Sequence, residues 1–129
     1  MSTFINISNH PSSGWSEEQK AAARRWGAAE PTTTSQIKDI PFPAIPPEAD
    51  MDVVRRMADD MFKSIYTPNF RGAVHLMGEQ SFCFALSGML IEAGITVLVS
   101  TTAREVVEKD GVKTSTFKFV RFRALNPRR

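Results

Sequence analysis

The sequence predicts an α/β protein with a Rossmann-like, mainly parallel sheet flanked by helices and a β-hairpin near its C-terminal end. Strand-like segments alternate with helical segments three times, which is typical of right-handed crossovers between parallel strands. The continuous apolar run from Ile95 to Val99 fits a strand that is covered on both faces. Asp110-Gly111 is a hairpin turn signal, and the alternating segment from Thr116 to Phe122 after it is a predicted antiparallel strand.

Length and composition fit one domain, which we expect to span residues 1–129. The formal net charge of +2 permits a phosphate-bearing ligand, but the dense basic stripe of proteins that track long nucleic acid is missing. Cys83 is the only cysteine, so no intramolecular disulfide is possible. Neither a signal peptide nor an apolar run of membrane-spanning length is seen, and we therefore expect a soluble cytoplasmic protein.

Strand-forming residues and helix N-cap residues predict where the strands and helices lie along the chain. Four short apolar segments are predicted strands before the hairpin: Phe4–Ile7, Ile37–Ile40, Ala73–Met77 and Ile95–Val99. Three segments are predicted helices: Glu17–Trp26 with Ser16 as N-cap, a segment from Asp50 or Asp52 to about Tyr66, and Ser81–Ala93, which is apolar nearly all round. In the second helix one apolar face is expected, formed by Val53, Met57, Met61 and Ile65 with Val54 and Phe62 beside them.

Polar residues follow three of the predicted strands, and ligands of open parallel sheets bind beyond the carboxyl ends of the strands. The first strand is followed by Ser8, Asn9, His10, Pro11, Ser12 and Ser13. The third strand is followed by Gly78, Glu79, Gln80 and Ser81, and the fourth is expected to close at Ser100, Thr101 and Thr102, with Arg104 after them. If the sheet is doubly wound, these clusters meet at one edge and form a candidate site.

The loop after the first strand combines hydroxyls, an amide and an imidazole just before a helix N-terminus, where backbone N–H groups and positive potential favour phosphate. His10 is a candidate general acid or base there. The alternative is that Asn9, Pro11 and Ser13 shape the turn and Ser16 caps the helix. The loop is neither a Walker A motif nor a GxGxxG fingerprint.

Arg104 suits phosphate because its guanidinium donates through a planar fork, and the alternative is a solvated surface arginine. Gly78 is expected to present its backbone to a ligand, whereas Glu79 is interpreted as a first-turn carboxylate favoured by the helix dipole. His75 is interpreted as structural and Cys83 as a small core residue. No metal site is expected, because no ligand spacing of a known zinc type occurs, and no Ser-His-Asp set can be assigned.

Several segments together resemble a family of small CRISPR-associated proteins. The resemblance lies in Ile5–Ser13 with Trp15–Gln19, Asp39–Pro43, His75–Glu79, Ser100–Arg104 and Phe119–Arg123, and it covers most of the chain. The family is that of minimal, stand-alone relatives of the CRISPR-associated Rossmann-fold (CARF) domains of type III systems. The stretch from Ala28 to Gln36 is longer than the family pattern, which leaves the position of the second strand open.

The resemblance implies an activity and a set of site residues. Members of this group bind cyclic oligoadenylate second messengers, and some cut them without a metal or other cofactor, by attack of a ribose 2′-hydroxyl on the adjacent phosphate. The ring-cutting members are usually homodimers. Carried over to this chain, Ser8 to Ser13 would hold phosphate and ribose, with His10, Ser12 and Arg104 as catalytic candidates. Gly78, Glu79 and Ser81 would line the pocket, and Ser100, Thr101 and Thr102 would contact the ligand.

Four functions follow as hypotheses. The first is a homodimeric ring nuclease that degrades a cyclic oligoadenylate and switches off type III CRISPR signalling in antiviral defence. The second is a non-catalytic binder of the same ligand, either a sensor or a sponge. The third is another enzyme that binds a nucleotide or sugar phosphate on the same fold. The fourth is an interaction domain whose polar edge is merely solvated.

Overall fold

The computed structural model describes residues 2–126 and contains five strands and three α-helices. The strands are β1 (Thr3–Ser8), β2 (Gln36–Pro41), β3 (Gly72–Leu76), β4 (Thr96–Lys109) and β5 (Val112–Ala124). The helices are α1 (Glu17–Gly27), α2 (Met51–Ile65) and α3 (Gln80–Glu92), and a short 3-10 turn covers Ser12–Gly14. The predicted mixed α/β class, with helices flanking a sheet and a C-terminal hairpin, is confirmed.

The five strands form one sheet in the order β2-β1-β3-β4-β5. The first four run parallel, and β5 pairs with β4 in the antiparallel direction. The chain runs outward from β1 to β2 and then crosses back to β3 on the other side of β1. The strand order therefore reverses between β1 and β3, and in open sheets such a switch point leaves a crevice beyond the carboxyl ends of the two strands.

Both faces of the sheet are covered, which explains why the central strands are apolar at successive positions. On one face, Ile7, Val74 and Val97 pack against α2 and α3 through buried side chains that include Leu86. On the other face, a smaller cluster packs against α1; its buried members are Phe4, Ala23, Ala73, Leu98 and Phe122. Alternate residues of each strand thus belong to different cores, as the two-residue period of a strand requires.

The helices begin at the residues that carry capping side chains. The Ser16 hydroxyl accepts a hydrogen bond from the Gln19 N–H at 3.1 Å, and the Asp50 carboxylate accepts one from the Val53 N–H at 3.1 Å. Helix α3 starts at Gln80 rather than at the predicted Ser81, because the carboxylate of Glu79 caps it. The buried stripe of α2 is centred on Val54, Ala58 and Ile65; the predicted Met57, Met61 and Phe62 pack half-buried beside it.

The prediction that the fourth strand ends before Ser100 is wrong. Pairing of β4 with β3 stops at Leu98, but β4 continues to Lys109 because β5 supplies a hydrogen-bonding partner along that length. The final strand accordingly starts at Val112 rather than Thr116. Beyond Thr101 the two strands form a hairpin that extends past the rest of the sheet, and we call residues 102–119 the arm.

Candidate functional site

A row of polar side chains crosses the sheet near the carboxyl ends of its parallel strands. Asn6 of β1 is in register with Asp39 of β2 on one side and with His75 of β3 on the other. His75 is in register with Leu98 of β4, and Ser100 lies two residues further along on the same face. Four neighbouring strands thus place one hydrogen-bonding side chain each in a continuous row.

The orientation of the Asn6 amide is determined by its neighbours. Its nitrogen Nδ2 donates to Asp39 Oδ1 at 2.9 Å and to the His10 carbonyl oxygen at 3.0 Å. Its oxygen Oδ1 accepts from the Ser8 hydroxyl at 2.9 Å and lies 2.8 Å from His75 Nδ1. The reversed amide would put an oxygen against two acceptors, so the oxygen must face His75.

This orientation determines the tautomer of His75. Because Asn6 Oδ1 is only an acceptor, the hydrogen between the two residues belongs to His75 Nδ1. Burial lowers the pKa of His75 to about 4, so the imidazole is neutral at pH 7. Nε2 therefore carries a lone pair, and it lies 3.1 Å from the Ser100 hydroxyl, which donates to it. The Sδ of Met77 is 3.0 Å from the same hydroxyl oxygen, but a thioether is a much weaker acceptor than an imidazole.

Asp39 ends the row on the β2 side and holds the loop that follows β1. Its carboxylate accepts from the Ser12 hydroxyl at 2.7 Å and from the Ser12 N–H at 3.1 Å. Partial burial raises the pKa of the Asp39 carboxyl, but the hydrogen bonds from Asn6 and Ser12 outweigh burial and lower the pKa below its usual value. The loop that contains His10 is therefore fixed to the sheet by charge-assisted hydrogen bonds.

The row opens into a cleft of about 710 Å³ at the switch point between β1 and β3. The lining residues come from the loop after β1, the end of β3 and the start of the arm: Ser8, Asn9, His10, Pro11, Ser13, Gly14, Trp15, Gln19, His75, Met77, Gly78, Ser100, Thr102, Phe117 and Phe119. The position agrees with the rule for open parallel sheets. Both histidines of the sequence face this one cleft.

Aromatic side chains make up much of the remaining wall. Trp15 stands edge-on to His75, with ring centres 5.7 Å apart, and Phe122 packs against both rings. Phe117 and Phe119 contribute from the arm, and the Phe117 side chain remains 68% exposed. Flat apolar rings beside hydroxyl and imidazole groups suit a ligand that has both aromatic and phosphate or sugar parts.

The structure brings together most of the residues that the sequence proposed for the site. Eight of them line the cleft: Ser8, Asn9, His10, Pro11, Ser13, Gly78, Ser100 and Thr102. Ser12 does not line the cleft; its hydroxyl donates to Asp39, which fixes the loop that contains His10. At Gly78 a Cβ atom would lie 2.3 Å from the ring of Phe42, so this position needs glycine for packing as well as for access to the cleft.

The other four proposed residues lie elsewhere. Arg104 does not line the cleft; it is on the arm opposite Phe117, where its guanidinium donates to Ser115 Oγ at 2.9 Å. Arg104 lies four residues after Ser100 on β4, so at the usual rise of a strand their Cα atoms are about 13 Å apart. Thr101 points away from the cleft and donates to the Arg121 carbonyl oxygen at 3.2 Å. Glu79 and Ser81 line a different cavity of about 650 Å³ beside α3.

Glu79 has a structural role at that position. Hydrogen bonds from the Ser81 hydroxyl and from the Phe82 and Ser81 N–H groups lower the pKa of the Glu79 carboxyl. This agrees with the interpretation of Glu79 as a carboxylate at the start of a helix. Burial raises the pKa of the nearby Cys83 thiol to about 11, so it stays protonated at neutral pH.

The sequence interpretation missed Asn6, Asp39 and Trp15 as site residues and took His75 only as structural. A signal was present: three predicted strands carry a strongly polar side chain one or two residues before their carboxyl ends, at Asn6, Asp39 and His75. Asn6 and His75 lie in strands that are buried, and buried polar side chains are seldom without a hydrogen-bond partner. The pairing itself depends on register, which the sequence does not give.

Residues that could hold a metal ion are not clustered. Within residues 2–126, no group of three or more His, Cys, Asp and Glu side chains lies close enough to share an ion. Across the same residues, none of the helices combines the length and the apolar character needed to cross a membrane.

Comparison with protein-family models identifies the group to which the chain belongs. A model described as the uncharacterized protein MJ1673 family matches residues 2–123. The chain is a member of the MJ1673 family. The match runs from β1 almost to the end of β5, so it includes every residue of the polar row and of the cleft. No curated protein and no solved structure matches the chain significantly.

Proposed function

We propose that this protein binds a cyclic oligoadenylate in the cleft at the β1/β3 switch point and cleaves it without a metal ion. The proposal joins the resemblance to CARF-related proteins with one observation. That observation is the cleft itself, in which imidazole, hydroxyl and aromatic groups face the same space beyond the strand ends. The reaction would remove a type III CRISPR second messenger.

The cleft has side chains suited to the adenine, ribose and phosphate groups of such a ligand. Adenine rings would stack on Trp15, Phe117 and Phe119, since base–aromatic stacking is a common basis of oligonucleotide binding. Phosphate and ribose would contact Ser8, Ser13 and Thr102 by hydrogen bonds. The cleft, of about 710 Å³, has room for part of a ring of several nucleotides, and the arm extends one wall outward.

In the proposed reaction, a ribose 2′-hydroxyl oxygen attacks the adjacent phosphorus, and the bond from phosphorus to the 5′-oxygen breaks. The products are a 2′,3′-cyclic phosphate and a 5′-hydroxyl. His10, exposed at the mouth of the cleft, would donate the proton that the leaving 5′-oxygen takes up. The protein would contribute mainly by holding the attacking oxygen in line with the leaving oxygen.

The direct test is to incubate the purified protein with cyclic tetra-adenylate and with cyclic hexa-adenylate in excess EDTA, and to separate the products by chromatography. We expect linear products with cyclic phosphate ends from at least one of the rings. Rings that stay intact would overturn the cleavage proposal, and a binding titration would then decide the second candidate.

The second candidate is a non-catalytic binder of the same ligand. One observation favours it: the described lining of the cleft includes no lysine or arginine that could stabilise charge on a phosphate in the transition state. Tight binding of an intact ring would support a sensor or sponge. A homodimer in the cytoplasm is proposed in either case, on the basis of the resemblance alone.

A further inference from the structure

The proposed cleavage needs a group that removes the proton from the attacking 2′-hydroxyl, and the polar row supplies one at its open end. Ser100 is the member of the row that is only half-buried and lines the cleft next to His75. Its hydroxyl hydrogen points to His75 Nε2, so the lone pairs on Oγ are free to accept a hydrogen bond from a ligand hydroxyl.

His75 is held in the form that such a role requires. Its Nδ1–H donates to Asn6 Oδ1, and the other side of Asn6 is fixed by Asp39 and the His10 carbonyl oxygen. The rings of Phe4, Trp15 and Phe122 surround the imidazole and prevent it from turning. A base whose tautomer and orientation are set by a third group is the arrangement that activates hydroxyls in many enzymes.

We propose that Ser100 and His75 form the general-base relay of the cleavage reaction, with Asn6 as the positioning residue. This rests on the proposed function. The 2′-hydroxyl proton passes to Ser100 Oγ as the Ser100 hydrogen passes to His75 Nε2. The 2′-oxygen then bonds to phosphorus, and the bond from phosphorus to the 5′-oxygen breaks as that oxygen takes a proton from His10. Afterwards the His75 imidazolium loses its proton to solvent, and His10 regains one from solvent. The two histidines thus take opposite roles, with His75 serving the base and His10 the acid.

The relay has a pH signature of its own. The groups packed around His75 from β1, β4, β5 and the loop before α1 are Asn6, Phe4, Ser100, Phe122 and Trp15, none of which titrates near neutral pH. Asp39 is linked to His75 only through Asn6. Because the pKa of His75 is lowered to about 4, His75 is deprotonated above about pH 5. Its protonation should therefore leave kcat/KM unchanged above that pH and should lower kcat/KM below it.

The test compares Ser100→Ala and His75→Gln with wild type, measuring cleavage of the ring in single turnover and its binding by calorimetry. We expect each variant to cut roughly 100-fold more slowly or worse, with a Kd within about threefold of wild type, because the lost step is proton transfer. Ser100→Thr keeps the hydroxyl and should restore most of the rate. Thr114→Ala, on the exposed arm, is the matched control and should cut at the wild-type rate.

The outcomes separate the two proposals. If wild type leaves every ring intact, the proposed function fails and the relay fails with it. If wild type cuts a ring and Ser100→Ala cuts it equally fast, the relay alone is overturned. Ser100 is half-buried, so we expect Ser100→Ala to keep the fold, and circular dichroism checks this. The test on Ser100→Ala therefore stays valid even if the buried His75→Gln variant unfolds.

Discussion

His75 shows how a single buried residue can link stability to the site. Its side chain is almost fully buried, at 3% exposure, and both ring nitrogens are hydrogen-bonded. Burial disfavours the charged form, which lowers the pKa of the imidazole from its ordinary 6.5 to about 4. The unfolded chain therefore takes up a proton on His75 at a higher pH than the folded chain does.

The first prediction concerns this linkage. Between pH 6.5 and pH 4 the unfolded state binds more protons, so the free energy of unfolding should fall as pH falls through this range. The shift corresponds to roughly 3 kcal/mol from His75 alone. Urea titrations at several pH values measure this dependence. In His75→Gln the free energy of unfolding should fall much less over this pH range. An equal fall in both proteins would contradict the lowered pKa of His75.

At the scale of elements, the arm contributes to the site with one face only. Thr102, Phe117 and Phe119 line the cleft, and because side chains alternate along a strand, Val107 must lie on the opposite face. The irregularity in pairing at Thr101 and Thr102 leaves Val120 of β5 without a paired residue on β4, and this extra residue puts Phe119 and Phe117 on the same face as Thr102. Without that bulge, Val120 would pair with Thr102, and Phe117 and Phe119 would face away from the cleft.

The second prediction uses the two faces of the arm as a matched pair. Phe117→Ala should raise the Kd for the cyclic oligoadenylate by roughly tenfold or more, because one stacking surface is lost. Val107→Ala removes an exposed apolar side chain from the other face and should leave the Kd unchanged. Calorimetric titration measures both. Equal Kd values for the two variants would mean that the arm does not touch the ligand.

The third prediction concerns α1, which follows the His10 loop. Ser16→Ala removes the acceptor for the Gln19 N–H, and this should lower the free energy of unfolding by about 1 kcal/mol. Thermal unfolding followed by circular dichroism gives the change in Tm. Thr32→Ala, in the exposed loop after α1, serves as the control and should match wild type. A Tm for Ser16→Ala equal to that of the control would show that the cap contributes nothing.

At the scale of the whole molecule, much of the architecture was predictable because each element carries its own local signals. The caps at Ser16 and Asp50 and the turn at Asp110-Gly111 lie where the sequence placed them. The edge of the sheet at which the cleft lies was predictable as well, because the carboxyl ends of parallel strands lie together at that edge. The site assignments depended on which residues follow each strand, and eight of the thirteen proposed residues line the cleft.

The remaining features depend on relations between distant segments. The length of β4 is set by its partner β5, so the end of the strand is not determined by Ser100–Arg104 alone. For the same reason the position of Arg104 was not predictable: it lies on the arm opposite Phe117, and its guanidinium donates to Ser115. The row of Asp39, Asn6 and His75 depends on the registers of three strands, each separated from the next by a helix.

Fluorescence of the tryptophan in the cleft can report directly on ligand binding there. The sequence has two tryptophans, so Trp26→Phe leaves Trp15 as the sole indole fluorophore. We would titrate this variant with 2′-O-methylated cyclic tetra-adenylate and hexa-adenylate, which cannot be cut by 2′-hydroxyl attack. We expect a saturable change in emission with one of the rings, and no change in Trp15→Phe, where Trp26 is the remaining fluorophore. Unchanged Trp15 emission with both rings would contradict a cyclic oligoadenylate site in this cleft.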